Sequence, residues 1–249
     1  MKKGFTILEL LVSVAIVAVL AVLGFHLVIR GKMRSHQAVS TQNLRSLVLA
    51  NLAYAADHGS YCPATERTNR VRWHGARDSS QAKFDPTKGF LAEYLGKSKQ
   101  VGICPRFRDH MEGRDSFESG SGGYGYNAIY IGGTPADPFK PERPANVPNP
   151  THTLMFATTA LAKGKGLQEY PFAEPRMSVD PNGQLSYRLQ PSVHFRFGGK
   201  ALVAWCDGRV SAETMNESSS VNYYGGSNED EAIGFCGPKE KNGWWNPRR

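Results

Sequence analysis

Residues 5–29 form an almost wholly apolar run, and no other feature restricts this chain so strongly. The run opens Phe5-Thr6-Ile7-Leu8-Glu9-Leu10-Leu11-Val12 and continues to Ile29. As a helix these 25 residues would extend roughly 37 Å, enough to cross a bilayer with some tilt. The rest of the chain is polar on average, an asymmetry that excludes an ordinary cytosolic enzyme. With 249 residues, 40% of them apolar and 21% charged, the chain is neither disordered nor a polytopic membrane protein. A secretory signal peptide also pairs basic residues with an apolar stretch. Here the run is longer than such a stretch, and no small-x-small cleavage site with a change of composition follows it.

Glu9 is the only acid in the run. A carboxylate in hydrocarbon is costly unless paired, so it is a functional candidate by default. Cleavage between Gly4 and Phe5 would create an α-amine on Phe5, a cation about one turn from Glu9 in the same helix. Between two staggered helices the carboxylate and the amine would pair directly.

Lys2-Lys3-Gly4 followed by Phe5-Thr6-Ile7-Leu8-Glu9-Leu10-Leu11-Val12 resembles the prepilin signal of type IV pilins and type II secretion pseudopilins. The resemblance implies that a prepilin peptidase cuts after Gly4 and that Phe5 becomes N-methylated. It also implies that Glu9 pairs with a neighbour's N-terminus during filament assembly. Loss of the leader removes Lys2 and Lys3 and lowers the net charge from +8 to +6. The implied fold is α+β and pilin-like, with one long N-terminal helix on an antiparallel β-sheet head. The implied organisation is a leader (1–4), an apolar transmembrane and assembly half-helix (5–30), an amphipathic half-helix (31–58) and a β-rich head (59–249).

Helical patterning supports that division. Val39, Leu44, Leu47, Val48, Leu52 and Ala55 recur at helical spacing. No proline occurs before Pro63, and Gly24 is the weak point of the apolar half. One helix is expected over about 5–57, ended by Gly59. Strands are expected at 101–104, 126–131, 153–157, 185–189, 193–197, 201–206 and 209–214. Asp207-Gly208 between the last two predicts a type I′ hairpin turn. Six prolines within residues 135–150 predict a surface loop.

Gly123-Tyr-Gly-Tyr-Asn127 and the run from His194 to Gly208 resemble a prepilin-type group with a processing-associated head. That group carries histidine, nine residues, then Asp-Gly. Here Phe197 occupies the histidine position, His194 lies three residues early, and Arg209 stands where a second histidine often follows.

Cys62, Cys104, Cys206 and Cys236 all lie beyond the apolar run. No zinc spacing occurs. In an exported head an even count suggests two disulfides with three connectivities. The pairing Cys62–Cys104 and Cys206–Cys236 requires the least chain reorganisation.

Other motifs carry bland readings. Gly120-Ser-Gly-Gly-Tyr-Gly125 fits a dinucleotide fingerprint but lacks the strand before it and the helix after it. His194 with Asp207 lacks a nucleophile elbow, so His194 is read as a strand residue. Asn228-Glu-Asp-Glu231 is oxygen-rich, as calcium loops are, but its spacing fits none, so it reads as a solvated charge run. Arg67, Arg70, Arg72, Trp73, His74 and Arg77, joined by Arg106, Arg108 and Arg114, form a basic, aromatic-interleaved stretch that would suit nucleic acid or a protein partner. A partner contact is preferred to nucleic acid.

The sequence therefore predicts a structural subunit rather than an enzyme, with no resident metal or cofactor. Expected partners are identical or homologous pilin subunits, the prepilin peptidase, an inner-membrane assembly platform, and lipid before assembly. The expected location is the inner membrane, single-pass with the N-terminus cytoplasmic, and then a periplasmic or cell-surface filament.

Overall fold

The computed structural model describes residues 6–111 and 118–248, without the side chains of residues 23, 26, 27 and 109–111. Helix α1 spans Ile7–His58, 52 residues without a proline. Thr6 starts it in extended backbone, and Gly59 ends it in the left-handed region at φ 74°, where its N–H reaches the Ala55 carbonyl. Up to Ile29, every described side chain of α1 is exposed. Beyond that point Leu44, Leu47, Val48, Ala50 and Ala55 form a fully buried stripe. Val39, expected in that stripe, is 45% exposed.

The stripe packs on a four-stranded antiparallel sheet. Its strands are β1 (Tyr124–Tyr126), β2 (Leu154–Thr158), β3 (Lys200–Trp205) and β4 (Val210–Thr214), in the order β4-β3-β2-β1. In β3, Leu202 and Ala204 face the helix-side core, while Ala201, Val203 and Trp205 face a second core with Phe195, Phe235 and Trp245. That alternation is the period-2 rule of a strand buried on both faces. The architecture is α+β, a long helix on an antiparallel sheet, as the pilin resemblance implies.

Several expected elements are replaced. Residues 101–104 are irregular, because the Cys104 amide bonds to Gly122 rather than to a ladder. They lead into a short helix α2 (Pro105–Met111). The strand expected at 126–131 ends at Tyr126, because Asn127 turns the chain: its Oδ1 accepts from Tyr130 N and its carbonyl from Ile131 N. Strand 193–197 shrinks to Val193–His194, paired with Ile233–Gly234. Three further ribbons occur, Val71–Arg72 with Gly75–Ala76, Leu161–Lys163 with Gly166–Gln168, and Met177–Val179 with Leu185–Arg188.

The β3–β4 hairpin turns differently from the type I′ expectation. Gly208 N bonds to the Trp205 carbonyl at 3.0 Å, which makes Cys206 and Asp207 the central turn residues. Only Gly208, at φ 91°, has positive φ there. A type I′ turn needs positive φ at both central residues, and the three-residue loop with glycine in the left-handed bulge position avoids placing Asp207 there.

The C-terminus closes the head. Lys241, Asn242 and Gly243 all adopt positive φ. This places Asn242 in the core, where it bonds to Met177 N, Met177 O and Tyr130 Oη. Trp245 is buried and donates to the Ala173 carbonyl at 2.8 Å.

Candidate functional site

The N-terminal end of α1 is built around Thr6 and Glu9. The Thr6 hydroxyl accepts from Glu9 N at 3.2 Å, and Glu9 Oε2 accepts from Thr6 N and Thr6 Oγ1, each at 2.8 Å. This reciprocal arrangement satisfies amides left open by the first helical turn. Glu9 is exposed, so its carboxylate remains reachable from outside the helix. Gly4 and Phe5, the processing positions, lie outside the described residues.

Around Glu9 the helix is apolar on every side. Ile7 is 80% exposed, and large apolar residues stay at least half-exposed along the stretch to Ile29. A soluble monomer rarely shows so much contiguous apolar surface, which marks a protein-contact or membrane surface. Among the described residues no helix is long and apolar enough to cross a membrane.

Residues 1–25 match the family model of the prokaryotic N-terminal methylation motif. This is the type IV pilin and pseudopilin signal. It places Gly4, Phe5 and Glu9 within a motif that implies peptidase processing and assembly with other pilin subunits. No curated protein and no solved structure matches the chain.

The remaining candidates fall elsewhere. All four cysteines are buried free thiols, so the expected disulfides are not formed. Cys62 N bonds to Asn51 Oδ1, whereas Cys104 Sγ accepts from Ser40 Oγ. Those helix positions lie about 16 Å apart along α1, far beyond the ~7 Å Cα limit of a disulfide. Cys206 lies in the helix-side core and Cys236 in the core beyond the sheet. Burial pushes the Cys62 and Cys206 thiols well up and that of Cys236 up to about 12.

The basic stretch is not one surface patch. Trp73 is fully buried and donates to the Pro171 carbonyl at 2.8 Å, so it offers no face for a base. Arg72 is buried on Glu118 between the Phe84 and Phe172 rings. Arg77 is buried against Phe84 and donates to the carbonyls of Asn69 and Ser80. Arg67 and Arg70 are exposed, the first over Phe139 and the second on the Asp78 carbonyl. Arg114 lies outside the described residues.

In the Gly120–Gly125 loop, the amides a phosphate would take are held by the chain's own Glu169, whose Oε2 accepts from Gly120 N and Ser121 N. Burial raises the Glu169 pKa, and those amides oppose the rise. His194 is a buried strand residue against Phe107. Asp207 accepts from Arg209 N within the hairpin. Asn228 ties Ser219 O and Val221 O at 2.7 and 2.8 Å. Among the described residues no group of three or more His, Cys, Asp or Glu is placed to hold a metal. The Thr6 cap went unread in the sequence, although Thr-x-x-Glu before an apolar run is its signature.

Proposed function

We propose that this chain is a pilin-like structural subunit. It is cut after Gly4, methylated on Phe5, held in the membrane by residues 5–29, and then assembled through that helix into a filament. The observation that carries the reading is the methylation motif at residues 1–25 leading directly into a helix exposed and apolar on all sides. Extracting such a helix from lipid is offset only by burying it among similar helices. Glu9 sets the register by pairing with the amine of a neighbouring Phe5.

The finer reading is a type II secretion pseudopilin, supported by the likeness of residues 123–127 and 194–208 to the processing-associated group. A type IV pilus subunit is the alternative within the class, and a membrane-anchored exported protein lies outside it. Mass spectrometry of the mature chain is expected to show N-methylated Phe5, and an intact Met1 in cells that have the peptidase overturns the reading. Glu9→Leu is expected to insert but not assemble, and normal assembly would favour the mere anchor. Glu9→Gln keeps an acceptor for the Thr6 cap and removes the charge. Its failure to assemble would assign the role to charge pairing, and its success to the cap.

A further inference from the structure

Between Glu9 and Asp57 helix α1 contains no acidic residue, yet it carries Arg30, Lys32, Arg34 and Arg45. Three of these cations fall within five residues, directly after the apolar run ends at Ile29. All three side chains are exposed. Among the described residues none of the three forms an ion pair with the chain. Arg30 and Arg34 are one turn apart and share a face, while Lys32 projects from the other side of the helix. The charge therefore forms a collar rather than a stripe. Met33, between them, already packs against the helix-side core of the head, but the three cations themselves stay exposed, and among the described residues of α1 the first buried one is Ser40.

The axial position of the collar follows from the helix rise. Ile7 to Ile29 extends about 34 Å, against about 30 Å of bilayer hydrocarbon. With Thr6 and Glu9 at one interface, the collar reaches the phosphate level of the opposite leaflet, and long basic side chains extend readily into that zone. A second copy of α1 offers nothing to neutralise it, since that helix is equally free of acids between residues 10 and 56. Helices packed side by side would instead bring like charges together.

We propose that Arg30, Lys32 and Arg34 form a headgroup collar that binds the phosphates of anionic phospholipids in the leaflet nearest the head. The proposal rests on the membrane-inserted state above and adds the lipid class and the residues that select it. The phosphodiester supplies the negative charge missing from α1, and contacts on both sides of the helix recruit more than one lipid.

The test uses the chain cleaved after Gly4, so that Lys2 and Lys3 are absent, in vesicles of phosphatidylcholine with about one-third phosphatidylglycerol. Spin-labelled versions of each lipid report the fraction immobilised by protein. A basic residue at an anionic surface changes association by about fivefold, so phosphatidylglycerol should be favoured at least fivefold. The preference should fall sharply in about 0.5 M NaCl, where screening is short-ranged. It should vanish in the triple variant Arg30→Gln, Lys32→Gln, Arg34→Gln. Equal immobilisation of both lipids by the unaltered chain overturns the collar and leaves the anchor intact. Immobilisation of neither lipid overturns the membrane reading and the collar together. A triple variant that keeps the lipid preference but no longer assembles assigns these cations to acidic groups on neighbouring heads, and also overturns the proposal.

Discussion

At the scale of single residues, His74 sits in an unfavourable environment within the head. Its ring is buried between Trp73 and Phe84, and neither ring nitrogen has a hydrogen-bond partner. Burial, with Arg72 and Arg77 nearby, lowers its pKa from the ordinary 6.5 to about 3. The unfolded chain thus binds this proton more tightly than the folded one. Stability from the neutral ring is complete above pH 6.5, falls as the pH drops, and stops falling near pH 3. The loss at pH 5 is about 2 kcal/mol. Unfolding free energies from urea titrations at pH 7 and pH 5 should differ by that amount, and His74→Phe should narrow the gap. An unchanged gap in the variant would place the acid sensitivity elsewhere. The sequence placed His74 in an exposed basic stretch, because charge density along the chain does not reveal that Arg72 turns inward to Glu118.

At the scale of elements, a buried amide ties α1 to the sheet beneath its apolar stripe. Asn51 Oδ1 accepts from Cys62 N at 2.8 Å, and its Nδ2 donates to Tyr126 Oη at 2.9 Å. The helix, the loop that follows it and strand β1 are joined at this point. Asn51→Leu keeps a similar volume and strands the Cys62 amide in the core. The expected loss is about 2 kcal/mol, with faster hydrogen exchange at Cys62 than at the buried centre of β3. The helix was legible because a 3.6-residue period, no proline and a terminal glycine all agree. Strands β3 and β4 were legible as runs bounding Asp-Gly, and β2 as a short apolar run. The short ribbons were not, since pairs such as Val71–Arg72 and Gly75–Ala76 carry no detectable period. The true end of β1 depends on the Asn127 side chain, a tertiary choice that local pattern does not encode. Glu9 stood out as the only acid of the apolar run, whereas the cysteine pairing failed because proximity in sequence revealed neither the separation of Cys62 and Cys104 along α1 nor the placing of Cys206 and Cys236 on opposite faces of the sheet.

At the scale of the whole molecule, four thiols lie in two cores on either side of one sheet. The native chain should react slowly with a thiol reagent and titrate four thiols once unfolded. A disulfide-linked peptide in a non-reducing digest would contradict that arrangement. The C-terminal segment supports the same two-core design. Removing residues 240–249 deletes Trp245 and the Asn242 bonds to Met177 and Tyr130. The truncated head should lose near-ultraviolet dichroism and expose apolar surface to a hydrophobic dye, while α1 stays helical.

The plug formed by Asn242 and Trp245 also bears on timing. Helix α1 is synthesised long before residues 240–245, so the head lacks a complete interior until that segment arrives. A polypeptide threaded across a membrane from its N-terminal end would therefore stay pliable throughout its passage. It would set into shape only after Asn242 and Trp245 had cleared the channel.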